Sequence, residues 1–481
     1  MKRIGGDLMG KYDCDLLVLG AGAAGFVASK VARGFSKSVI MVEKGIIGGE
    51  CTNFGCVPSK ALIRVGKAVH ELNNLGRMGL GIKVPVEVKT DGVMSHVRSI
   101  VQDVYDSHHP DNFKKIGIDI LFGSPRFLDE HHIDINGKTV SAGKIIISTG
   151  SSPSVPEIKG IKEVPYLTNS NVFSIDKLPR SLLVLGGGPI GVELASAFNR
   201  LGVKVSVIEM FDTILPREDR ELAGMLSTKL VSEGLNIITS AKVLSLSKRN
   251  GEIVAELDVK GERKEAVAES LLVATGRRPN LEGLDLEKCG VRHTPDGISV
   301  NEFLQTSAKN IYACGDVTGP YRFSHMSEYQ AVIACRNAFL PFRKKVDYKH
   351  VVWSTFTDPE LAHAGLTEEE ARAKHGDGIK ILRSEFGKTD KGRTDLEGFG
   401  ISKIILEGSG KVIGAHILGA HATEVMHELQ LARHFNIPFW KIWEAIHIYP
   451  SYSDVIRNPS KYFYGERLAG NFFIKLLGKL L

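Results

Sequence analysis

Short apolar runs and stretches of helical period alternate along this chain, and their order predicts its elements. Asp15–Leu19 is an apolar run of strand length, Phe26–Arg33 carries helical spacing, and Ser38–Val42 predicts a second strand. The same order returns later. Leu182–Leu185 predicts a strand, Val192–Arg200 a helix and Lys204–Ile208 another strand. Between the two copies, Ala61–Leu72 is apolar with helical period, and Thr90–Lys115 is polar but helical. Short strands are expected near Ile118–Phe122, His131–Asn136, Asn236–Thr239 and Ile253–Val259. Lys144–Gly150 and Leu271–Gly276 are apolar strands that each stop at Thr-Gly, and Ile311–Val317 runs from a strand into Gly315-Asp316. From Asp347 the pattern changes. Strands at Val351–Phe356, Ile379–Phe386, Gly400–Leu406 and Val412–Ile417 precede helices at Thr423–Phe435 and Lys441–Ala445.

The turns give these elements chemistry. Gly20, Gly22 and Gly25 join the first strand to its helix, and the next strand ends at Glu43. Glycines there permit a tight turn and the close approach of a pyrophosphate, which then sits on the helix N-terminus. The terminal acid is placed for ribose hydroxyls. Gly186, Gly188, Gly191 and Glu209 repeat the arrangement, so two dinucleotides are implied. An acid such as Glu209 bonds a 2′-OH and repels a 2′-phosphate, which favours NADH over NADPH. Arg217 is near enough in sequence to reach such a phosphate. The part after Asp347 has no glycine fingerprint and reads as mixed α+β. The Ser/Pro-rich stretch 151–160 is a candidate boundary.

Gly48–Lys60, GGECTNFGCVPSK, places Cys51 and Cys56 at or just before a helix N-terminus, with Lys60 opening the helical run. Pro58 suits a first turn, where its missing N–H costs nothing. Helix dipole and cation lower a thiol's pKa, and the thiolate is the reactive form. The spacing permits a disulfide if the turn is tight. The bland reading is a pair of small buried loop residues. Cys14, Cys289, Cys314 and Cys335 are isolated and read as buried hydrophobes.

Composition narrows the class. A chain of 481 residues, 43% hydrophobic and 24% charged, is long enough for several globular domains. The net charge of +6 is spread out, without a basic tract interleaved with aromatics, so nucleic acid is not a partner. Six cysteines are too few for a disulfide scaffold, and no metal-ligand spacing occurs. No signal peptide and no membrane span are expected, which points to a cytoplasmic protein. Arg467–Leu481 is apolar with interspersed lysines. It reads as an interfacial amphipathic tail, for weak membrane or protein contact.

These motifs resemble the flavin-dependent pyridine nucleotide–disulfide oxidoreductases, the family of dihydrolipoamide dehydrogenase, glutathione reductase and mercuric reductase. The resemblance covers about Tyr12 to Tyr464 in the same motif order. It implies an α/β fold with two Rossmann-type dinucleotide-binding domains plus a C-terminal α+β dimerisation domain. The expected spans are 12–160 with 280–346 for FAD, 161–279 for NAD(P), 347–466 for dimerisation and 467–481 for the tail. It implies FAD held by Gly20, Gly22, Gly25, Glu43, Lys44, Gly49, Thr52, Gly123, Thr149, Gly150, Ser151, Asp316 and His325. The nicotinamide dinucleotide falls to Gly186, Gly188, Gly191, Glu209, Val243 and Gly276. Lys60 and Glu193 would form an ion pair beside the flavin. Electrons would pass from NAD(P)H through FAD to a Cys51–Cys56 disulfide, with Cys56 facing the flavin and Cys51 exchanging with the acceptor.

The end of the chain departs from that pattern. Disulfide-reducing members carry His before Pro and Glu five residues after that His, serving the partner subunit's disulfide. Here Tyr449 precedes Pro450, Asp454 is the acid and His447 lies two residues earlier. Tyrosine is a poor base near neutral pH. Mercuric reductases also carry Tyr there, but they end in a vicinal Cys pair that this sequence lacks. The leading expectation is therefore a homodimeric FAD-dependent NAD(P)H oxidoreductase of the mercuric reductase-related branch. Its acceptor would be a disulfide, a soft metal ion or a quinone-like compound. The alternatives are a dihydrolipoamide dehydrogenase and a flavoprotein interaction subunit anchored by its tail.

Overall fold

The computed structural model describes residues 11–80 and 88–470. The first glycine motif sits in a mostly parallel sheet. Strand β1 (Cys14–Leu19) lies between β2 (Val39–Glu43) and β4 (Lys138–Ile147), with β3 (Ile118–Phe122) outside β2. All three pairings are parallel, and Leu17 stands opposite both Ile40 and Ile145. The N-terminal half of β4 turns antiparallel against His132–Ile135, which in turn pairs antiparallel with Pro125–Phe127. β1 is buried throughout, which is why it reads as a continuous apolar run rather than an alternating one. Leu17 and Leu19 enter one core, Leu16 and Val18 the other, as the two-residue period of a strand requires. Helix α1 (Ala23–Gly34) covers the second face. Its Ala24, Ala28 and Ala32 share a core with Ala331, Ala334 and Cys335 of a later helix.

Two short strands, β5 (Ser151–Pro153) and β10 (Arg277–Pro279), pair antiparallel where the chain leaves and re-enters this unit. Between them lies the second parallel sheet, in spatial order Asn236–Ile238 (β8), Lys204–Ile208 (β7), Ser181–Leu185 (β6) and Ser270–Val273 (β9). Helix α4 (Pro189–Arg200) follows β6. An antiparallel meander, Ala241–Arg249, Glu252–Val259 and Glu262–Ala268, stands where one strand was expected. Its last strand exposes ERKE, so only its final residues alternate visibly. The chain then returns through β11 (Ile311–Ala313), parallel to β4, and helix α5 (Ser324–Phe339). Helical period is weak in α5 because its buried side carries Ser327, Gln330 and Asn337 among the apolar residues.

The third unit is an antiparallel sheet in the order Val352–Thr355, Glu360–Gly365, Val412–Gly419, Ile401–Glu407, Ile379–Glu385. Helices α6 (Ala422–His434) and α7 (Asp454–Gly470) accompany it. The helix expected at 441–445 is a 3₁₀ segment, Phe439–Glu444. The first four residues of the expected tail continue α7, and 471–481 lie outside the described residues. Among the described residues no helix is long and apolar enough to cross a membrane.

Buried charge joins the third sheet to the second nucleotide unit. Lys403, 3% exposed at its side chain, binds Asp219, and Glu221 and Glu368 complete its shell at 2.9 and 2.6 Å. His363 faces Glu218 at 3.0 Å and stacks on Trp353 with ring centroids 3.8 Å apart. His416 meets His363 edge-on, donates from Nε2 to the Leu366 carbonyl at 3.0 Å, and leaves Nδ1 without a partner. Burial, and then the neighbouring His363, push the His416 pKa down from 6.5 to about 3. Between those values the unfolded chain binds a proton that the folded chain refuses, so stability falls as pH drops below about 6.5. The thermal midpoint is therefore expected to fall from about pH 7 to about pH 5. In His416→Gln that fall should be shallower, read against the variant's own neutral value. Equal slopes would remove His416 from the account.

Candidate active site

The two glycine turns have the same atomic arrangement. Gly20 and Gly186 take φ of +108° and +107°, a region open to glycine. A Cβ on Gly25 would lie 1.9 Å from the Gly20 carbonyl oxygen, and one on Gly191 2.0 Å from that of Gly186. Gly25 and Gly191 thus close the turn from behind and do not line the cavity, whereas Gly20, Gly22, Gly186 and Gly188 do. The strand-end acids are held alike. Glu43 accepts from the amides of Ala21 (2.9 Å) and Gly45 (2.7 Å), and Glu209 from those of Gly187 (2.6 Å) and Phe211 (2.8 Å).

Both turns open into one cavity of about 2720 Å³. Lys44, Gly49, Thr149, Gly150, Ser151, Asp316 and His325 line it on the first unit's side, Val243 and Gly276 on the second. Gly49 approaches Gly22 so closely that a Cβ would sit 2.8 Å from the Gly22 Cα. Thr149 donates to the Asn280 carbonyl at 2.8 Å, and His325 Nε2 to that of Val352 at 2.8 Å. Burial lowers the His325 pKa. Thr52 and Gly123 are not on this surface. Thr52 is buried against Gly48, and Gly123 bonds back to the Glu43 carbonyl.

The cysteines lie in the wall between the two turns. Cys51 sits in a five-residue helix, α2 (Gly49–Asn53), and Cys56 is the first residue of α3 (Cys56–Asn73). Only Cys56 therefore occupies the helix N-terminus; Cys51 belongs to a separate turn. Both are free thiols and both reach the cavity. The neighbouring Cys51 thiol, with the Lys60 cation, brings the Cys56 thiol down to about 6, while Cys56 and burial raise Cys51. Cys56 is the more acidic thiol of the pair. The four other cysteines are buried, and burial raises Cys14, Cys314 and Cys335 to about 12 and Cys289 to about 11.

One turn after Cys56, Lys60 Nζ meets Glu193 Oε2 at 2.8 Å. Glu193 comes from α4 and is buried; its other oxygen accepts from the Phe356 amide at 2.9 Å. The Lys60 ammonium also lies 4.3 Å above the centroid of the Phe356 ring. All three units meet at this cation.

A further group escapes sequence reasoning. Arg277 bonds the Glu50 carboxylate and Ser151 Oγ (2.8 Å), Ser151 donates to Asp316 (2.6 Å), and Asn169 donates to Glu50 (3.1 Å). Burial raises the Glu50 pKa. The only available signals were Glu50, the sole acid of the cysteine motif, and the arginine after the Thr-Gly stop. Arg217 is also relocated. Its guanidinium lies over Trp353 (5.2 Å) and Tyr321 (5.9 Å).

His447, Tyr449 and Asp454 do not border the cavity of their own chain. His447 Nε2 faces Glu428 at 2.7 Å and Nδ1 the Ala445 carbonyl at 2.8 Å, so both nitrogens meet acceptors. Its acidic partner is thus Glu428 from α6, not Asp454, which is buried at the start of α7 beside Arg457. Tyr449 donates to Asp390 at 2.5 Å, and Asp390 raises its pKa. Ile446 and Ile448, on either side of His447, are 102% and 85% exposed. Among the described residues no cluster of His, Cys, Asp and Glu is arranged to hold a metal ion.

The family model for pyridine nucleotide-disulphide oxidoreductases matches residues 14–338, and that for the family's dimerisation domain matches 351–459. This chain belongs to the pyridine nucleotide-disulphide oxidoreductases. The mercuric reductase of Staphylococcus aureus is 34% identical, over 88% of this chain and 78% of that protein. A dihydrolipoyl dehydrogenase of Bacillus subtilis (strain 168) is 32% identical, over 92% and 96%. Among solved structures, the HOCl-induced flavoprotein disulfide reductase RclA from Escherichia coli superposes with a TM-score of 0.83 at 26% identity, covering 92% of this chain and 98% of that one. Its Cu(II) complex gives 0.82 at 27%, covering 92% and 99%. The family's α/β architecture, with two dinucleotide-binding sheets and a dimerisation domain, is the fold described above. The chain is an FAD-using oxidoreductase, and its relatives divide between branches.

Proposed function

We propose that this protein is a homodimer that carries electrons from NAD(P)H through FAD to a Cys51–Cys56 disulfide, and from there to a small disulfide, a soft metal ion or a quinone-like acceptor. The carrying observation is the Cys56 thiol, lowered to about 6 beside the Lys60–Glu193 pair, in a cavity shared by two glycine turns. The first turn fits FAD. The Gly22–Gly49 contact leaves room only for backbone, Glu43 stands at the ribose position, and Asp316 faces the cavity beyond Gly150. The second turn, with Glu209, suits NADH, and the Arg217 guanidinium, though on the cavity wall, is engaged with Trp353. The bound flavin supplies the two-electron chemistry. The protein's own part is to hold the Cys56 thiolate, keep Lys60 in place through buried Glu193, and present Cys51 to the acceptor for exchange.

Both ring nitrogens of His447 already face acceptors, Glu428 and the Ala445 carbonyl, and Asp390 raises the Tyr449 pKa. Fast dihydrolipoamide turnover is therefore not expected. Acceptors that bring no thiol of their own to be deprotonated, a soft metal ion or a quinone-like compound, fit this site better. The test is an anaerobic titration of the holoenzyme with NADH and, separately, NADPH. A thiolate-to-flavin charge-transfer band should grow at lower NADH than NADPH. Absence of the band with both would refute the redox role of the pair, and equal midpoints would refute the cofactor preference.

A further inference from the structure

Cys56 has one polar neighbour besides Cys51 and Lys60. Its sulfur lies 3.6 Å from the hydroxyl oxygen of Ser324, 268 residues away. Ser324 opens α5, and both residues line the cavity. Beyond the two thiols, its hydroxyl has no hydrogen-bond partner among the described residues, and it caps nothing in its own helix. The position of Ser324 is set from both sides. Phe323 stacks on Trp353 with centroids 5.7 Å apart and on His325 at 5.4 Å, and His325 is tied to the Val352 carbonyl at 2.8 Å. One turn along, Ser327 Oγ lies 3.5 Å from Asp316, and Gln330 accepts from the Gly315 amide at 2.6 Å. The first turn of α5 cannot swing away without breaking these contacts, so the hydroxyl is aimed by the fold.

We propose that Ser324 is a positioning residue for the Cys56 thiolate: its hydroxyl donates to the sulfur and holds the charge on Cys56, on the cavity side of the pair. This rests on the reading of Cys51–Cys56 as the redox pair. A hydroxyl donor favours a thiolate over a thiol because only the anion accepts strongly. Lys60 stabilises the same charge from the side of α3, but as an ammonium already committed to Glu193. Ser324 supplies a donor from the opposite wall, and its direction of action on both thiols is downward. A small hydroxyl also leaves room for a ligand against the sulfur.

The test is the pH profile of Cys56 alkylation in the reduced holoenzyme. Iodoacetamide labelling is followed on the Cys56 peptide by mass spectrometry from about pH 5 to about pH 9. Ser324→Ala should move the midpoint upward by about half to one pH unit and slow labelling at about pH 6 by about two- to fivefold. Ser324→Thr, which keeps the hydroxyl, should return the profile to that of the wild type. A purely structural residue would change neither midpoint. An unchanged profile in Ser324→Ala, or a threonine variant that matches alanine, overturns the proposal; Ser324→Gly serves the same comparison if the alanine variant does not fold. Thiol counts before and after oxidation test the underlying reading separately. A pair that does not oxidise removes the redox reading and leaves the alkylation comparison standing.

Discussion

Replacing Cys56 by serine is expected to abolish acceptor reduction. The reason is the division of labour in the pair: Cys56 carries the lowered thiol and stands next to Lys60, while the Cys51 thiol is raised. A serine hydroxyl neither ionises near neutral pH nor joins a disulfide, so both the electron store and the thiolate vanish. The expected loss in kcat/KM with a disulfide acceptor is on the order of a thousandfold or more. Cys51→Ser should lose turnover equally but retain the thiolate, and so keep the charge-transfer absorbance that Cys56→Ser lacks. Cys335→Ser, at a position buried in the core of the first sheet, should change neither. The measurement is steady-state NADH oxidation alongside the anaerobic spectrum. Retention of more than a few per cent of turnover in Cys56→Ser would place the chemistry elsewhere.

The largest effect on stability is expected at Arg200. This side chain, 6% exposed, ends α4 and binds Glu233 through Nε (2.9 Å) and Nη2 (3.1 Å). It also holds the Asp358 carboxylate and, at 2.7 Å, the Asp358 carbonyl. Lys67 of α3 reaches the same Asp358 at 3.0 Å. One guanidinium therefore ties the second nucleotide unit to the third, directly behind the cysteine helix. Helices α3 and α4 approach closely at this level, where a Cβ on Gly66 would lie 3.3 Å from the Ala197 carbonyl oxygen. Removing the guanidinium leaves two largely buried carboxylates with one lysine each, Lys67 for Asp358 and Lys229 for Glu233, where removing a partner of a buried pair costs up to about 3–5 kcal/mol. Arg200→Met is expected to lower the unfolding free energy, read from denaturant titration, by up to that amount, against almost none for the exposed Arg263→Met. Adding Glu233→Gln should cost less than the sum of the single changes, because the Arg200–Glu233 bonds are already lost in the first change. Strict additivity would show that Arg200 and Glu233 do not act together.

Much of the fold was legible because its defining units are local. A strand, three glycines, a helix and a strand ending in an acid lie within one short stretch, and backbone sterics alone prescribe Gly20, Gly25, Gly186 and Gly191. The meander and helix α5 were missed for an equally local reason: solvent-facing charge hides the strand period in one, and buried polar residues hide the helical period in the other. The site divides in the same way. The Cys56–Lys60 spacing is one turn of one helix and could be read directly.

The sequence by itself determined two dinucleotide turns, their acids, and a close pair of cysteines with Lys60 one turn beyond the second. Only the tertiary structure decided what surrounds those thiols. Glu193 stands 133 residues from Lys60, Arg277 stands 227 from Glu50, and Ser324 stands 268 from Cys56. No periodicity links such distances. They close because three separately folded sheets bury their edges against one another, and the buried charges at those seams must find partners wherever the chain supplies them. The same logic moved His447 onto Glu428 and Arg217 onto Trp353. A side chain's residue type sets what it can do; the partners it meets across the seam set which of those roles it holds.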